Sequence, residues 1–180
     1  MISKATGWQQ DAVHERGNKV NSAMKAVINW AALEEHDSVL DLSCGDGGLL
    51  REIGKYIRLY SCGLCSDPEQ ARAVRESLDD ADVVYGTSED IPWKDDAFDV
   101  VISSEMMRKA KLDVSLKEIN RVLRPGGQFV ILTRLAERKR DVYAGKTELM
   151  RCMQMNGFES VSWRVSGFHG VAVGWKRKTE

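Results

Sequence analysis

Between residues 38 and 175, short apolar runs alternate with segments whose apolar residues recur every three or four positions. That is the pattern of buried strands separated by amphipathic helices. The predicted strands are Ser38 to Leu42, Leu59 to Cys65, Asp82 to Tyr85, Phe98 to Ile102 and Phe129 to Leu132. The fourth is too uniformly apolar at its centre to have a wet face. Leu49, Leu50, Ile53 and Ile57 share one helical face directly after a glycine turn, Ala71, Val74 and Leu78 share another, and Leu112, Leu116, Ile119 and Leu123 a third. Asp67-Pro68-Glu69-Gln70 predicts a helix start with Asp67 as cap, Pro68 in the first turn and Gln70 completing a capping-box-like pattern. The third helix is expected to stop at Arg124-Pro125-Gly126-Gly127, since a proline and two glycines cannot continue it.

Upstream, Val20, Met24, Val27, Ile28 and Ala31 predict a helix over 20–33 that enters the domain, with a shorter one from Trp8 to Arg16 before it. Downstream, Leu135 to Gly145 is charged and reads as exposed, and Thr147 to Met155 is a helix ending at Asn156-Gly157. Phe158 to Val165 and Phe168 to Trp175 alternate about Gly167 as a closing antiparallel hairpin. No repeat or linker divides the chain. The expectation is one α/β domain over 1–180, a Rossmann-like, doubly wound and mostly parallel sheet with a C-terminal antiparallel hairpin.

Charge narrows the function classes. Lys plus Arg total 26 against 27 Asp plus Glu, so no global attraction to nucleic acid or anionic membrane is written into the chain. The basic run Arg134, Arg138, Lys139, Arg140 and the tail Lys176-Arg177-Lys178 lack interleaved aromatics and read as solvated faces. Met1 to Asp11 has no apolar leader, and nowhere do 18 uncharged apolar residues follow one another, so a soluble, cytoplasmic protein is expected. Cys44, Cys62, Cys65 and Cys152 read as reduced thiols. Cys62-Gly63-Leu64-Cys65 spells C-x-x-C, but no second close pair exists and His14, His36 and His169 are scattered singly, so no metal site is expected.

The segment Val39-Leu40-Asp41-Leu42-Ser43-Cys44-Gly45-Asp46-Gly47-Gly48 carries the candidate chemistry. Small residues in a strand-to-helix turn let a ligand approach bare main chain. A phosphate-binding P-loop is excluded because Leu49 and Leu50 stand where Lys and Ser/Thr are needed. A dinucleotide fingerprint fits poorly because Leu50 would occupy its last small position.

Val39 to Gly47 resembles the first motif of class I S-adenosylmethionine-dependent methyltransferases. The resemblance continues through Gly86-Thr87-Ser88-Glu89-Asp90-Ile91-Pro92, Phe98-Asp99-Val100-Val101 and Glu118-Ile119-Asn120-Arg121-Val122-Leu123-Arg124-Pro125-Gly126-Gly127, in the order of the ubiquinone/menaquinone-biosynthesis-type branch. It implies an N-terminal helical lid over 1–35 in which Trp8, His14 and Arg16 close the crevice, a cofactor-binding core over 36–135, and a C-terminal helix and hairpin over 146–176. It places Asp41, Ser43 and Gly45 beside the methionine and ribose of S-adenosylmethionine, Thr87, Ser88 and Glu89 around the adenine, and Ser103 near the sulfonium. Cys44, Gly47, Cys65 and Ser66 complete the implied cofactor-binding set.

Two positions depart from the family. Its second strand usually ends in an acid that binds the ribose hydroxyls, where this chain has Cys65, and a second acidic position is Thr87. Met106, Met107, Arg108 and Lys109 fall where the family begins its substrate wall. No universal catalytic residue is implied. The expected activity is methyl transfer to a small-molecule acceptor, in a pocket open enough to be completed by a partner subunit or a second copy. The alternative is a catalytically inactive binding or scaffold domain.

Overall fold

The structure, a computed structural model, describes residues 25, 27–104, 107–134, 143–166 and 169–178. Trp8, His14, Arg16, Met106, the run 138–140 and Gly167-Phe168, all singled out above, lie outside them. The strands are β1 (Ser38–Asp41), β2 (Tyr60–Cys65), β3 (Ala81–Tyr85), β4 (Phe98–Ser103), β5 (Leu123–Arg134), β6 (Phe158–Ser166) and β7 (His169–Lys176). The helices are α1 (Gly48–Ile53), α2 (Pro68–Ser77), α3 (Leu112–Val122) and α4 (Lys146–Met155), with a 3-10 turn at Lys109–Lys111 before α3.

The strands form one seven-stranded sheet in the order β3-β2-β1-β4-β5-β7-β6. β1 to β5 pair in parallel, and β7 pairs antiparallel with both β5 and β6, as the alternation about Gly167 predicted. The order reverses between β1 and β4, so the crevice at their carboxyl ends is the topological switch point, where such sheets bind ligands. One face buries Leu40, Leu64, Val101, Phe129 and Ala172 against Leu116, Ile119 and Met153. The other buries Val39, Val100, Ile102 and Val130 against Ile53, Leu49 and the incoming Val27 and Ile28. Val100, Val101 and Ile102 thus serve both layers, and for this reason β4 has no polar alternation.

Three expectations need correction. The incoming helix does not run to Leu33: after Ile28 the chain turns at Asn29-Trp30 and lies extended, held by the buried Gln128, whose Oε1 accepts from Ala32 N (2.8 Å) and whose Nε2 donates to Trp30 O (3.2 Å). The Arg124-Gly127 run does not separate α3 from the fifth strand. Leu123 is already extended (φ −74°, ψ 139°) and paired with Phe98, and the run is an irregularity inside β5 before pairing resumes at Val100 and Gln128. Ala144, inside the stretch read as exposed, is 4% exposed and donates its N–H to Met107 O at 3.2 Å.

Candidate functional site

The β1–α1 turn is built by its own polar groups. Asp41 ends β1 fully buried, and its Oδ1 accepts from Ser43 N at 3.0 Å, which bends the chain off the sheet. Gly47 N donates to Cys44 O (2.7 Å) and Gly48 N to Asp46 Oδ1 (3.0 Å), closing the turn on left-handed Gly45 (φ 54°) and Gly47 (φ 75°), a conformation that glycine alone adopts without penalty. Leu42 N to Ile102 O (2.9 Å) and Cys44 N to Leu64 O (3.3 Å) bind the turn to β4 and β2. Ser43 Oγ accepts from Ser104 N at 2.9 Å, tying together the ends of the strands that flank the switch point.

Above this turn lies a cavity of about 360 Å³, within the range of small-molecule sites. Of the residues implied for the cofactor, Ser43, Gly45, Cys65, Ser66, Thr87, Ser88, Glu89 and Ser103 line it. Asp41, Cys44 and Gly47 do not. Asp41 lies beneath the turn, and Cys44 turns its sulfur toward Gly63, where an added Cβ would stand 2.6 Å from it. Gly47 faces α2, where a Cβ would meet Leu78 Cδ1 at 2.6 Å. These three shape the floor from behind. Of the expected substrate wall, Met107 and Arg108 line the cavity, whereas Lys109 pairs with Glu148 at 3.3 Å.

Sequence reasoning missed Gln70, Lys111 and Ser115 on the cavity wall. Ser115 did carry a signal, since it interrupts the apolar stripe of α3 and is only 1% exposed. Its hydroxyl pairs with that of Ser88 at 2.8 Å. Lys111 pairs with Glu89 and joins the segment after β3 to the start of α3. Burial pushes the Glu89 carboxyl up, but hydrogen bonds from Lys111 and Thr87 outweigh it and hold the group below its ordinary range. The Cys44 and Cys65 thiols are both pushed up, first by burial and then by the Asp41 carboxylate. Both therefore remain protonated near neutral pH.

The segment carrying Thr87 to Glu89 is anchored from below by α3. Arg121 donates to Ile91 O (2.9 Å) and Trp93 O (2.8 Å) while held by Glu118 at 2.7 Å, and Glu118 Oε2 accepts from Ile91 N at 3.0 Å.

A family model described as a methyltransferase domain matches residues 40–131, slightly more than half of the 180-residue chain. The chain belongs to that family. The match runs from within β1 into β5 and includes every residue that lines the cavity. The sterol 4-C-methyltransferase strm-1 of Caenorhabditis elegans is 29% identical over 126 residues, which cover 64% of this chain and 37% of the relative. This chain therefore matches little more than a third of that relative's length. Among solved structures, a chain of the Haloferax volcanii complex between the Trm112 methyltransferase activator and a methyltransferase aligns with TM-score 0.76 at 20% identity, covering 88% of this chain and 90% of its own. A TehB-like SAM-dependent methyltransferase from Corynebacterium glutamicum aligns with TM-score 0.71 at 20% identity over 90% of each chain. These likenesses show the class I methyltransferase fold. Among the described residues, no helix is long and apolar enough to cross a membrane.

Proposed function

We propose that the cavity holds S-adenosylmethionine and that the domain passes its methyl group to a small-molecule acceptor in the cytoplasm. The observation that carries this reading is the cavity at the switch point, floored by the bare main chain of a glycine turn and walled by Ser43, Cys65, Thr87, Glu89 and Ser103. Its residues fit the group: hydroxyls and main chain for an amino-acid moiety, a volume of nucleoside size, and a buried carboxylate beneath for a cation. When bound, S-adenosylmethionine supplies an electrophilic methyl on a sulfonium centre.

The chain's own residues then position and shield. Asp41 lends negative potential from under the turn and fixes the turn through Ser43. Thr87, Ser88 and Glu89 border the base, and the Glu89–Lys111 and Ser88–Ser115 pairs hold that border in place. Met107 and Arg108 stand past the end of β4, where an acceptor approaches, and the backbone of Met107 is pinned by Ala144. Proximity and exclusion of water supply the acceleration. The open side of the cavity is completed by a partner subunit or a second copy.

Thermal denaturation with S-adenosylhomocysteine tests the reading. At a hundredfold excess over Kd, binding to the folded state adds about 2.7 kcal/mol. For a chain of this size that raises Tm by roughly 5–10 °C. No shift at millimolar S-adenosylmethionine or S-adenosylhomocysteine would contradict it.

A further inference from the structure

In doubly wound sheets the group that binds ribose hydroxyls stands at the end of the second strand, about twenty residues past the glycine turn. Here that place is Cys65, twenty residues from Gly45, and its thiol is already committed: it is 1% exposed and its Sγ donates to Gly45 O at 3.8 Å. A thiol is in any case a weak partner for a diol. Asp67, the next carboxylate along the chain, is committed elsewhere. Its Oδ1 caps α2 by accepting from Gln70 N at 2.8 Å, and Asp67 does not line the cavity. Glu89, the acid that does line it, is paired with Lys111 on the opposite border.

What remains beside Cys65 on that wall is Ser66 and Gln70. Gln70 has two properties the position requires. Its backbone is fixed by the Asp67 cap, so its side chain departs from a defined point in the first turn of α2. Its carboxamide offers one accepting oxygen and two donating hydrogens, enough to engage a vicinal diol together with the Ser66 hydroxyl.

We propose that Gln70, assisted by Ser66, is the ribose-recognising residue of this domain, and that its diol site is neutral where a carboxylate would ordinarily stand. The inference rests on the reading of the cavity as an S-adenosylmethionine site. A neutral diol site binds more weakly than a charged one, because hydrogen bonds to ionised acceptors are the stronger class. Installing a carboxylate at this one position should therefore tighten binding rather than damage it.

The test titrates the full chain, as wild type, Gln70→Ala and Gln70→Glu, with S-adenosylhomocysteine, adenosine and 2′,3′-dideoxyadenosine by calorimetry at pH 7. Unliganded Tm values check that each variant folds. Failure of the wild type to bind S-adenosylhomocysteine would overturn the cavity reading and this inference with it. Given that binding, Gln70→Ala should weaken adenosine about three- to tenfold and leave dideoxyadenosine unchanged. Gln70→Glu should tighten adenosine by about fivefold or more, again without effect on dideoxyadenosine, and the gain should fade as the pH falls to about 4. If the variants bind as the wild type does, if adenosine and dideoxyadenosine respond alike, or if Gln70→Glu weakens adenosine, Gln70 is not the ribose residue while the cavity reading stands.

Discussion

Gly47 shows how one residue shapes the cavity floor without lining it. Its φ of 75° is strained for any other residue, and an added Cβ would stand 2.6 Å from Leu78 Cδ1 and 2.9 Å from Val74 Cγ1. Gly47→Ala is therefore expected to cost about 1–3 kcal/mol, a Tm lower by roughly 3–10 °C in calorimetry. An unchanged Tm would show that α2 gives way freely. The thiols make a second prediction at this scale. Burial pushes Cys62 up to about 11, so at pH 8 about one molecule in a thousand carries its thiolate. Cys44 and Cys65 are raised as well. With Ellman's reagent at pH 8, these three should react far more slowly in the folded protein than after unfolding in guanidinium; rapid labelling of more than one thiol per native chain would contradict their placement, since Cys152 can account for only one. The small residues of the turn were legible in the sequence because a strand-to-helix turn leaves glycine few other reasons to recur. Gln70 was not, because in the sequence it already had an explanation as the residue completing a capping-box-like helix start with Asp67. A sequence does not say where the side chain of a capped residue points.

Among the elements, α3 does most to hold the cavity's border. Glu118 and Arg121 lie one turn apart and together grip Ile91 and Trp93, so the segment after β3 is fixed to a helix rather than left as a free loop. The Arg121 guanidinium holds the Glu118 carboxyl below its ordinary range against the upward push of burial. A depressed folded-state value stabilises the fold above the unfolded value of about 4.3, and that contribution is lost as the pH falls through the lowered one. Glu118→Gln should thus be less stable than the parent by about 1–3 kcal/mol at pH 7, with the gap closing in acid. Denaturant titrations of both proteins between pH 7 and pH 3 measure it, and a gap independent of pH would contradict the assignment. Element types were legible because the first five strands are short apolar runs, the last two alternate, and each helix carries a stripe. The start of β5 was not. Leu123 belongs to the apolar stripe of α3 by spacing, yet it takes the extended conformation and pairs with Phe98, and periodicity cannot see a partner strand. Arg124 precedes a proline and is steered toward extended backbone, so Pro125 ends the helix and at the same time permits the strand to begin.

At the scale of the whole molecule, the chain brings the ends of β1, β2 and β4 together where the order of the parallel strands reverses, and the family match covers that place. The parallel order was legible from the alternation of strands and helices, whereas the cavity's far border was not. Lys111 and Ser115 reach it only because α3 crosses back over the sheet, which brings residues 88 and 115 to within a hydrogen bond of each other. The central claim is that this cavity is an S-adenosylmethionine site. A crystal structure of the full chain grown with S-adenosylhomocysteine tests it most directly. The account predicts the base bordered by Thr87 to Glu89, the ribose at Ser66 and Gln70, and the sulfur near Ser103. Ligand density anywhere else on the molecule, or a cavity left without ligand at saturating concentration, would contradict it.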